Sequence, residues 1–354
     1  MTRMADVARL AGVSPSTVSR VLNGTARVDE ATRQTVREAV ETLGYRPNAM
    51  ARSLAARSSS TVGLVVSRFG SPYYGRILDG AEWALAELGF IAVAESSRES
   101  AEGERAAWES LRDRQCDAVV IHSDHLSDAE LSDRMARHPR AVVINRTVPS
   151  HEARCVRIDD RRAGALAARH LLEMGHRRIA LVAGPSVYPT VRARSAGFAE
   201  ALAAAGHPLD PALHLEGDFL APSGHDAMRA LLEGPRPTAV FLQNDEMAAG
   251  ALDACRGLDV AVPGDVSVVG FDDIALAEHL VPKLTTIAQP MMEIGATAAR
   301  LAHALARGRA AEEIDLPRVP DAQLMRRESV APPREGGART GPEARTNPKG
   351  GDPT

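Results

Sequence analysis

MADVARLAGVSPSTVSRVLNGTARVDEATRQTVREAVETLGYRPNAMARSLAA, residues 4–56, holds the pattern on which the reading of this chain turns. Its centre, Val13–Asn23, is VSPSTVSRVLN. Ser14 is a natural helix N-cap, because its hydroxyl can accept from an amide in the first turn. Pro15 suits the first helical position, which needs no N–H. The segment before it, Met4–Ala11, is helical in content, with Val7, Leu10 and Ala11 expected on its inner face. It stops at Gly12, a residue that enters the left-handed conformation at no steric cost. Helix, glycine turn and Ser-capped helix together make the sequence form of a helix-turn-helix. The N-terminal end of its second helix faces base edges in the major groove.

On the second helix, Ser14–Leu22, the residues Val18, Val21 and Leu22 should turn inward. Ser16, Thr17, Ser19 and Arg20 remain outside. A polar outer face is common on short helices of any fold; the preceding helix and glycine turn move the reading toward DNA. Arg20 could grip a guanine through two hydrogen bonds or hold a phosphate. Asp29 caps a third helix to Leu43, with Thr32, Val36, Ala39, Val40 and Leu43 at helical spacing. Gly44 ends it. Beyond Tyr45-Arg46-Pro47, Asn48 can cap a short helix, Ala49–Ala56, too short to be stable alone in water. Arg57-Ser58-Ser59-Ser60 reads as a flexible linker.

Charge agrees with this division. Residues 1–60 carry nine Arg, no Lys and five Asp or Glu, a net +4, whereas the whole 354-residue chain is −4. A small basic head on a larger acidic body suits a nucleic-acid reader joined to something else. No run of 18 apolar residues offers a membrane span, and no signal pattern stands at the N-terminus, so a cytoplasmic location is expected. Cys116, Cys155 and Cys255 are few and far apart, which fits reduced side chains rather than a disulfide framework.

From Thr61 the texture changes. Apolar runs such as TVGLVVS (61–67), typical of buried parallel strands, alternate with helix-like segments. Strands are expected at Phe90–Glu95, Ala118–His122, Ala141–Ile144, Ile179–Ala183, Leu213–Glu216, Ala239–Leu242 and Val266–Phe271. Helices are expected at Gly75–Leu88, Glu102–Arg114, Asp128–Arg137, Arg161–Met174, Val191–Ala205, Ser223–Leu232, Glu246–Cys255 and Met291–Ala306, the last returning to the first sheet. The fold class is α/β: a three-helix headpiece and hinge helix, then two doubly wound parallel-sheet subdomains able to close on a ligand. After Ala331 the chain turns rich in Pro, Gly and Arg, and a disordered tail is expected over 331–354.

DVARLAGVSPSTVSRVLNG, Thr32–Arg33 and LGYRPNAMARSLA resemble the DNA-binding headpiece and hinge of the lactose repressor (LacI/GalR) family of bacterial transcription regulators. HLLEMGHRRIALVAGP (170–185), RSAGF (194–198), QNDEMAAGAL (243–252), VSVVGFDD (266–273) and LTTIAQP (284–290) resemble the family's core, which is similar to periplasmic sugar-binding proteins. The resemblance spans about 2–330. It implies a headpiece at 1–46 and a hinge and linker at 47–60. An effector-binding and dimerisation core would occupy 61–330, its N-subdomain about 61–158 with 291–318 and its C-subdomain about 159–290 with 319–330. It implies base reading by Pro15, Ser16, Thr17 and Arg20, and a minor-groove wedge at Leu54 on a hinge helix that forms only on operator DNA, in a dimer. Ser19, Asn23, Asn48, Ala51 and Arg52 complete the expected DNA-contacting set. No leucine heptads follow the core, so a dimer is expected rather than a tetramer.

In doubly wound sheets, ligands bind beyond the carboxyl ends of the strands. Polar residues stand at those positions here, although Asn and Asp also serve local turns after strands. The expected effector set is Tyr73, Asn145, Tyr188, Thr190, Arg194, Phe219, Asn244 and Asp272. The family resemblance carries ligand contact onto Asn145, Arg194, Phe219, Asn244 and Asp272. Amides, an arginine and a carboxylate can exchange hydrogen bonds with several hydroxyls while an aromatic ring covers a sugar face. Tyr188 replaces an arginine of purine-binding members, which disfavours a purine. The motifs GxSxG, HExxH, GxxxxGK[ST] and GxGxxG are absent. His122 and His125 have HxxH spacing without an evident third ligand, and a surface loop is the plainer reading. No cofactor or metal is expected. The expectation is a regulator, a repressor in sense, of double-stranded operator DNA under a small-molecule effector, a sugar or sugar derivative. A transport-type sugar-binding protein and a doubly wound enzyme are the alternatives.

Overall fold

The computed structural model describes residues 2–23, 28–45 and 58–334. The expected hinge helix, with Asn48, Ala51, Arg52 and Leu54, lies outside the described residues, as do the Asn23 side chain and 335–354.

Three helices open the chain: α1 (Met4–Leu10), α2 (Pro15–Asn23) and α3 (Glu30–Thr42). Each begins on a local side-chain acceptor. Asp6 Oδ2 accepts from Arg3 N at 3.0 Å, Ser14 Oγ from Thr17 N at 3.1 Å, and Asp29 Oδ1 from Thr32 N at 2.8 Å. Gly12 and Gly44 follow α1 and α3 with φ of 66° and 56°, the left-handed conformation that a Cβ disfavours. Val7, Ala8, Ala11, Val18, Val36 and Ala39 form one core that Tyr45 closes. Leu10 does not join it and is 54 % exposed, while Ala8 is buried. The apolar stripe of α1 centres near Ala11, and Leu10, one residue earlier, is turned about 100° away from it.

The rest is built on two sheets. The first holds β1 (Thr61–Val66), β2 (Ile91–Ser96), β3 (Ala118–His122), β4 (Ala141–Ile144) and β5 (Cys155–Val156), ordered β2-β1-β3-β4-β5 and all parallel. The second holds β6 (Ile179–Ala183), β7 (His214–Glu216), β8 (Ala239–Leu242), β9 (Ser267–Asp272), β10 (Thr285–Ala288) and β11 (Gln323–Met325), ordered β11-β10-β9-β8-β6-β7. Only β11 runs antiparallel. The two- and three-residue strands β5 and β11 are too short to carry a readable pattern.

Helices cover both faces. They are α4 (Pro72–Glu87), α5 (Ala101–Asp113), α6 (Asp128–Arg137), α7 (Asp160–Glu173), α8 (Pro189–Ala204), α9 (Ala221–Glu233), α10 (Asp245–Gly257), α11 (Leu276–His279) and α12 (Met291–Ala306). Alternate strand residues feed opposite cores, as a period of two requires. Val62, Leu64 and Val120 meet Ile77 of α4 and Ile294 of α12, whereas Val65, Val119 and Ile121 meet Trp108 of α5 and Leu131 of α6. Helix α12 therefore returns to the first sheet after the chain has built most of the second. Three helices begin earlier than their sequence suggests. Pro72, Pro189 and Pro222 occupy the first or second helical position, where a missing N–H costs nothing. Tyr73, Tyr74 and Thr190 thereby sit in first helical turns. Residues 331–334, grouped with the tail by composition, are held against the second sheet. Ala331 O accepts from Ser267 Oγ at 3.1 Å and lies 2.9 Å from His176 Nε2. Arg334 pairs with Asp265 at 2.5 Å.

Candidate functional site

Two surfaces matter. On α2, Pro15, Ser16 and Arg20 are exposed, and Thr17 and Ser19 half-buried. The capping hydroxyl of Ser14 also lies 2.7 Å from Ser16 Oγ and 2.9 Å from Thr17 Oγ1. One cap thus starts the helix and orients the two hydroxyls at its outer end.

The second surface is a cleft of about 760 Å³, partly open to solvent, at the carboxyl ends of both sheets. All eight residues expected at the effector site line it: Tyr73, Asn145, Tyr188, Thr190, Arg194, Phe219, Asn244 and Asp272. The topology brings further residues that were not among the eight. Ser67 and Arg68 follow β1, His122 and Asp124 close β3, Asp160 starts α7, Gln243 follows β8, and Gln289 follows β10. His122 is not in a surface loop. It is buried, with Nδ1 3.3 Å from Ser67 Oγ and 3.3 Å from Asp124 Oδ2. Among the described residues, no group of three metal-ligating side chains comes together.

Arg194 is the fixed cation of the cleft. Its Nη1 donates to the Gln243 carbonyl and its Nη2 to Asp160 Oδ1, both at 2.8 Å. Its Nε–H is buried without a partner. The helix carrying it is set by close packing: a methyl at Gly197 of α8 would fall on the Arg161 carbonyl, and one at Gly164 of α7 on the Arg194 carbonyl. Asp159, not Asp160, caps α7 by accepting from Arg162 N at 2.9 Å, which frees Asp160 for Arg194.

Asp272 accepts from Gln289 Nε2 at 2.7 Å. Burial pushes its carboxyl up to about 7, against the pull of Arg194. Burial likewise raises Asp160 and Asp124 above the usual carboxylate range. Asp272, Asn145 and Phe219 hold φ of 105°, 60° and 68°, backbone conformations costly for side-chain-bearing residues and held here by the surrounding contacts. Asn145 Nδ2 donates to Tyr73 Oη, and its Oδ1 is buried and unpaired. Asn244 is committed locally: Nδ2 donates to Phe219 O at 2.8 Å while Oδ1 caps α10. Tyr188 and Phe219 lie nearly parallel, 11° apart in plane with centroids 6.1 Å apart. Neighbouring polar residues serve structure instead. Asp245 is buried against Thr286 and Ile274 N, Asp273 pairs with Arg327, and Arg146 binds Asp128 and two carbonyls.

A helix-turn-helix unit and a two-sheet cleft on one chain also occur together in known proteins. Residues 3–48 match the family described as bacterial regulatory proteins, lacI family, and residues 168–330 match the periplasmic binding protein-like domain. The HTH-type transcriptional regulator GalR of Escherichia coli (strain K12) is 39 % identical over 94 % of this chain and 97 % of its own length. The chain belongs to the lacI family of bacterial regulatory proteins. It is thus a helix-turn-helix, DNA-binding transcription regulator. Two solved lacI-family structures are similar to it. The lac repressor dimer bound to operator and the anti-inducer ONPF has a TM-score of 0.84 and 29 % identity, covering 93 % of this chain and 99 % of that one. The transcriptional regulator CelR–cellobiose complex has a TM-score of 0.68 and 37 % identity, covering 93 % and 100 %. Among the described residues, no helix is long and apolar enough to cross a membrane.

Proposed function

We propose that this lacI-family chain is a repressor that binds a pseudo-palindromic operator as a dimer and answers to an uncharged sugar in the cleft. Residues 1–46 would read DNA, 47–60 would connect and fold on it, and 61–330 would bind the effector and the second copy. The carrying observation is the make-up of the cleft. Arg194, Asn145, Gln289 and Asp272 offer donors and acceptors for hydroxyls, and the Tyr188–Phe219 pair offers an apolar face. The charges narrow the class. Among the described residues lining the cleft, Asp124, Asp160, Asp272, Glu99 and Glu246 face only Arg68 and Arg194 as strong cations, so phosphorylated or acidic sugars are disfavoured. The cellobiose complex of the similar CelR supports a sugar. The cleft residues serve binding, and catalysis is not part of this reading.

The test begins with selection of duplexes from a random pool by the full chain. The enriched duplex is then titrated with and without cellobiose, D-galactose and their phosphorylated forms. The reading expects an enriched two-fold sequence and a neutral sugar that changes its affinity. Coupling of this kind is typically about 5–150-fold. A pool with no enriched sequence overturns it.

A further inference from the structure

At the end of β3 away from the cleft, one carboxylate gathers the last three residues before β1. Ser58 Oγ donates to Asp117 Oδ2 at 2.6 Å, Ser59 N to Oδ1 at 3.0 Å, and Ser60 N to Oδ2 at 2.7 Å. The Asp117 amide in turn donates to Thr61 O at 2.9 Å, so the two segments are clasped in both directions. Ser60 sits at φ 52°, a left-handed conformation unusual for serine and closed here by these bonds. The amides of Ser59 and Ser60 precede the β1 ladder, and the Asp117 carboxylate takes the place of a strand partner. Bonds to an ionised acceptor are stronger than neutral ones.

We propose that Asp117 is the positioning residue through which the state of the cleft reaches the linker to the DNA-reading helices. The proposal rests on the regulatory reading above. β3 is five residues long, with Asp117 just before it and His122 as its last residue. His122 stands in the cleft wall, touching Ser67, Tyr74 and Asp124. β1 runs beside it in parallel register, Val62 opposite Ala118 and Val65 opposite Ile121, from the Ser58–Ser60 clasp to Ser67 and Arg68. Both strands therefore span from the clasp to the cleft. An extended strand of this length is about 17 Å long and stiff along its axis. A ligand that draws on Ser67 or His122 shifts one strand against the other at the cleft. The same shift appears at the far end as movement of the carboxylate against its three donors. Ser58–Ser60 lead directly to the segment read as the hinge, so loosening this clasp frees the linker and tightening it holds the linker.

Full-length Asp117→Asn tests the proposal. It keeps one acceptor oxygen and turns an amide NH₂ toward a backbone N–H. Ser58→Ala removes one of the carboxylate's three donors, together with the 3.3 Å bond that Ser58 Oγ accepts from Ser60 N, and provides the milder variant should the first fold poorly. Three quantities are read: amide hydrogen exchange at 59–60, the dissociation constant of the sugar that shifts wild-type melting in a panel of cellobiose and D-galactose, and the sugar-dependent change in affinity for the wild-type-selected duplex. Asp117→Asn should exchange at 59–60 at least about tenfold faster. Its sugar affinity should stay near wild type while the sugar-dependent change in DNA affinity shrinks toward none, with Ser58→Ala between. Unchanged coupling beside faster exchange overturns the positioning role, and unchanged exchange overturns the clasp itself. A wild-type chain that selects no duplex or answers no sugar overturns the regulatory reading and the proposal together.

Discussion

The Arg194 guanidinium lies over the ring of Phe271, its Cζ 3.5 Å from the ring centroid. This places a flat cation on an apolar floor at the end of β9, with Asp160 on one side and the Gln243 carbonyl on the other. Lysine cannot reproduce that geometry, since it offers a point charge in place of a planar fork. Arg194→Ala should lower stability by about 3–5 kcal/mol, because Asp160 is left buried without its partner. Urea unfolding measures the loss. Sugar binding should vanish in calorimetry, whereas duplex selection at low temperature should recover the wild-type sequence.

Asp272 sets a pH dependence. Burial raises its carboxyl from 3.8 to about 7, so the folded chain retains a proton that the unfolded chain has already released. Its contribution to stability is complete below about pH 4 and is lost as pH rises through about 7. Asp160, Asp124 and Asp245 shift the same way and leave a residual slope in any variant. Asp272→Asn should therefore melt higher than wild type, by a margin that widens from pH 5 to about pH 7 and then levels. A margin independent of pH would show that the carboxylate is not the source.

Arg68 and Glu246 approach to 3.9 Å across the cleft, one following β1 and the other on α10. Arg68 also lies 3.2 Å from Glu99. Pairs this exposed are worth about 0–1 kcal/mol. Glu246→Gln should weaken sugar affinity by no more than about fivefold and reduce its salt dependence. Calorimetry at low and high salt decides, and an unaltered salt slope would remove the pair from closure.

Gly197 allows α8 to lie against α7. Gly197→Ala would set a methyl on the Arg161 carbonyl, a backbone atom that cannot turn aside. A loss of about 1–3 kcal/mol is expected in urea unfolding, with weakened sugar binding as Arg194 is displaced.

Arg20 projects from α2 into solvent. If it reads a base, Arg20→Ala should cost about 1–3 kcal/mol at one operator position and relax preference there. Selection with the variant shows this directly. Equal weakening on all sequences would assign the residue to phosphate.

Much of the headpiece was legible because its determinants are local. Ser14 with Thr17 and Asp29 with Thr32 are three residues apart, and Gly12 and Gly44 meet their own backbone demands. The βα alternation and the polar residues beyond strands were legible for the same reason, since strand period and strand end are properties of short segments. Leu10 departs from its expected inward position because a seven-residue helix carries too few positions to centre its apolar stripe.

The sequence by itself determined a capped helix-turn-helix, the two-sheet α/β body and eight positions that line the cleft. The tertiary structure decided which other groups stand beside them. Asp160 resembles part of a helix cap until α8 brings Arg194 to it, 34 residues on. His122 resembles a loop histidine until β1 and α4 bring Ser67 and Tyr74 around it. Asp117 resembles a turn residue until Ser58–Ser60, nearly 60 positions earlier, fold onto its carboxylate. A cap is satisfied within one turn of chain. A cleft or a clasp exists only where sheet order brings distant strand ends together, and no local pattern records that order.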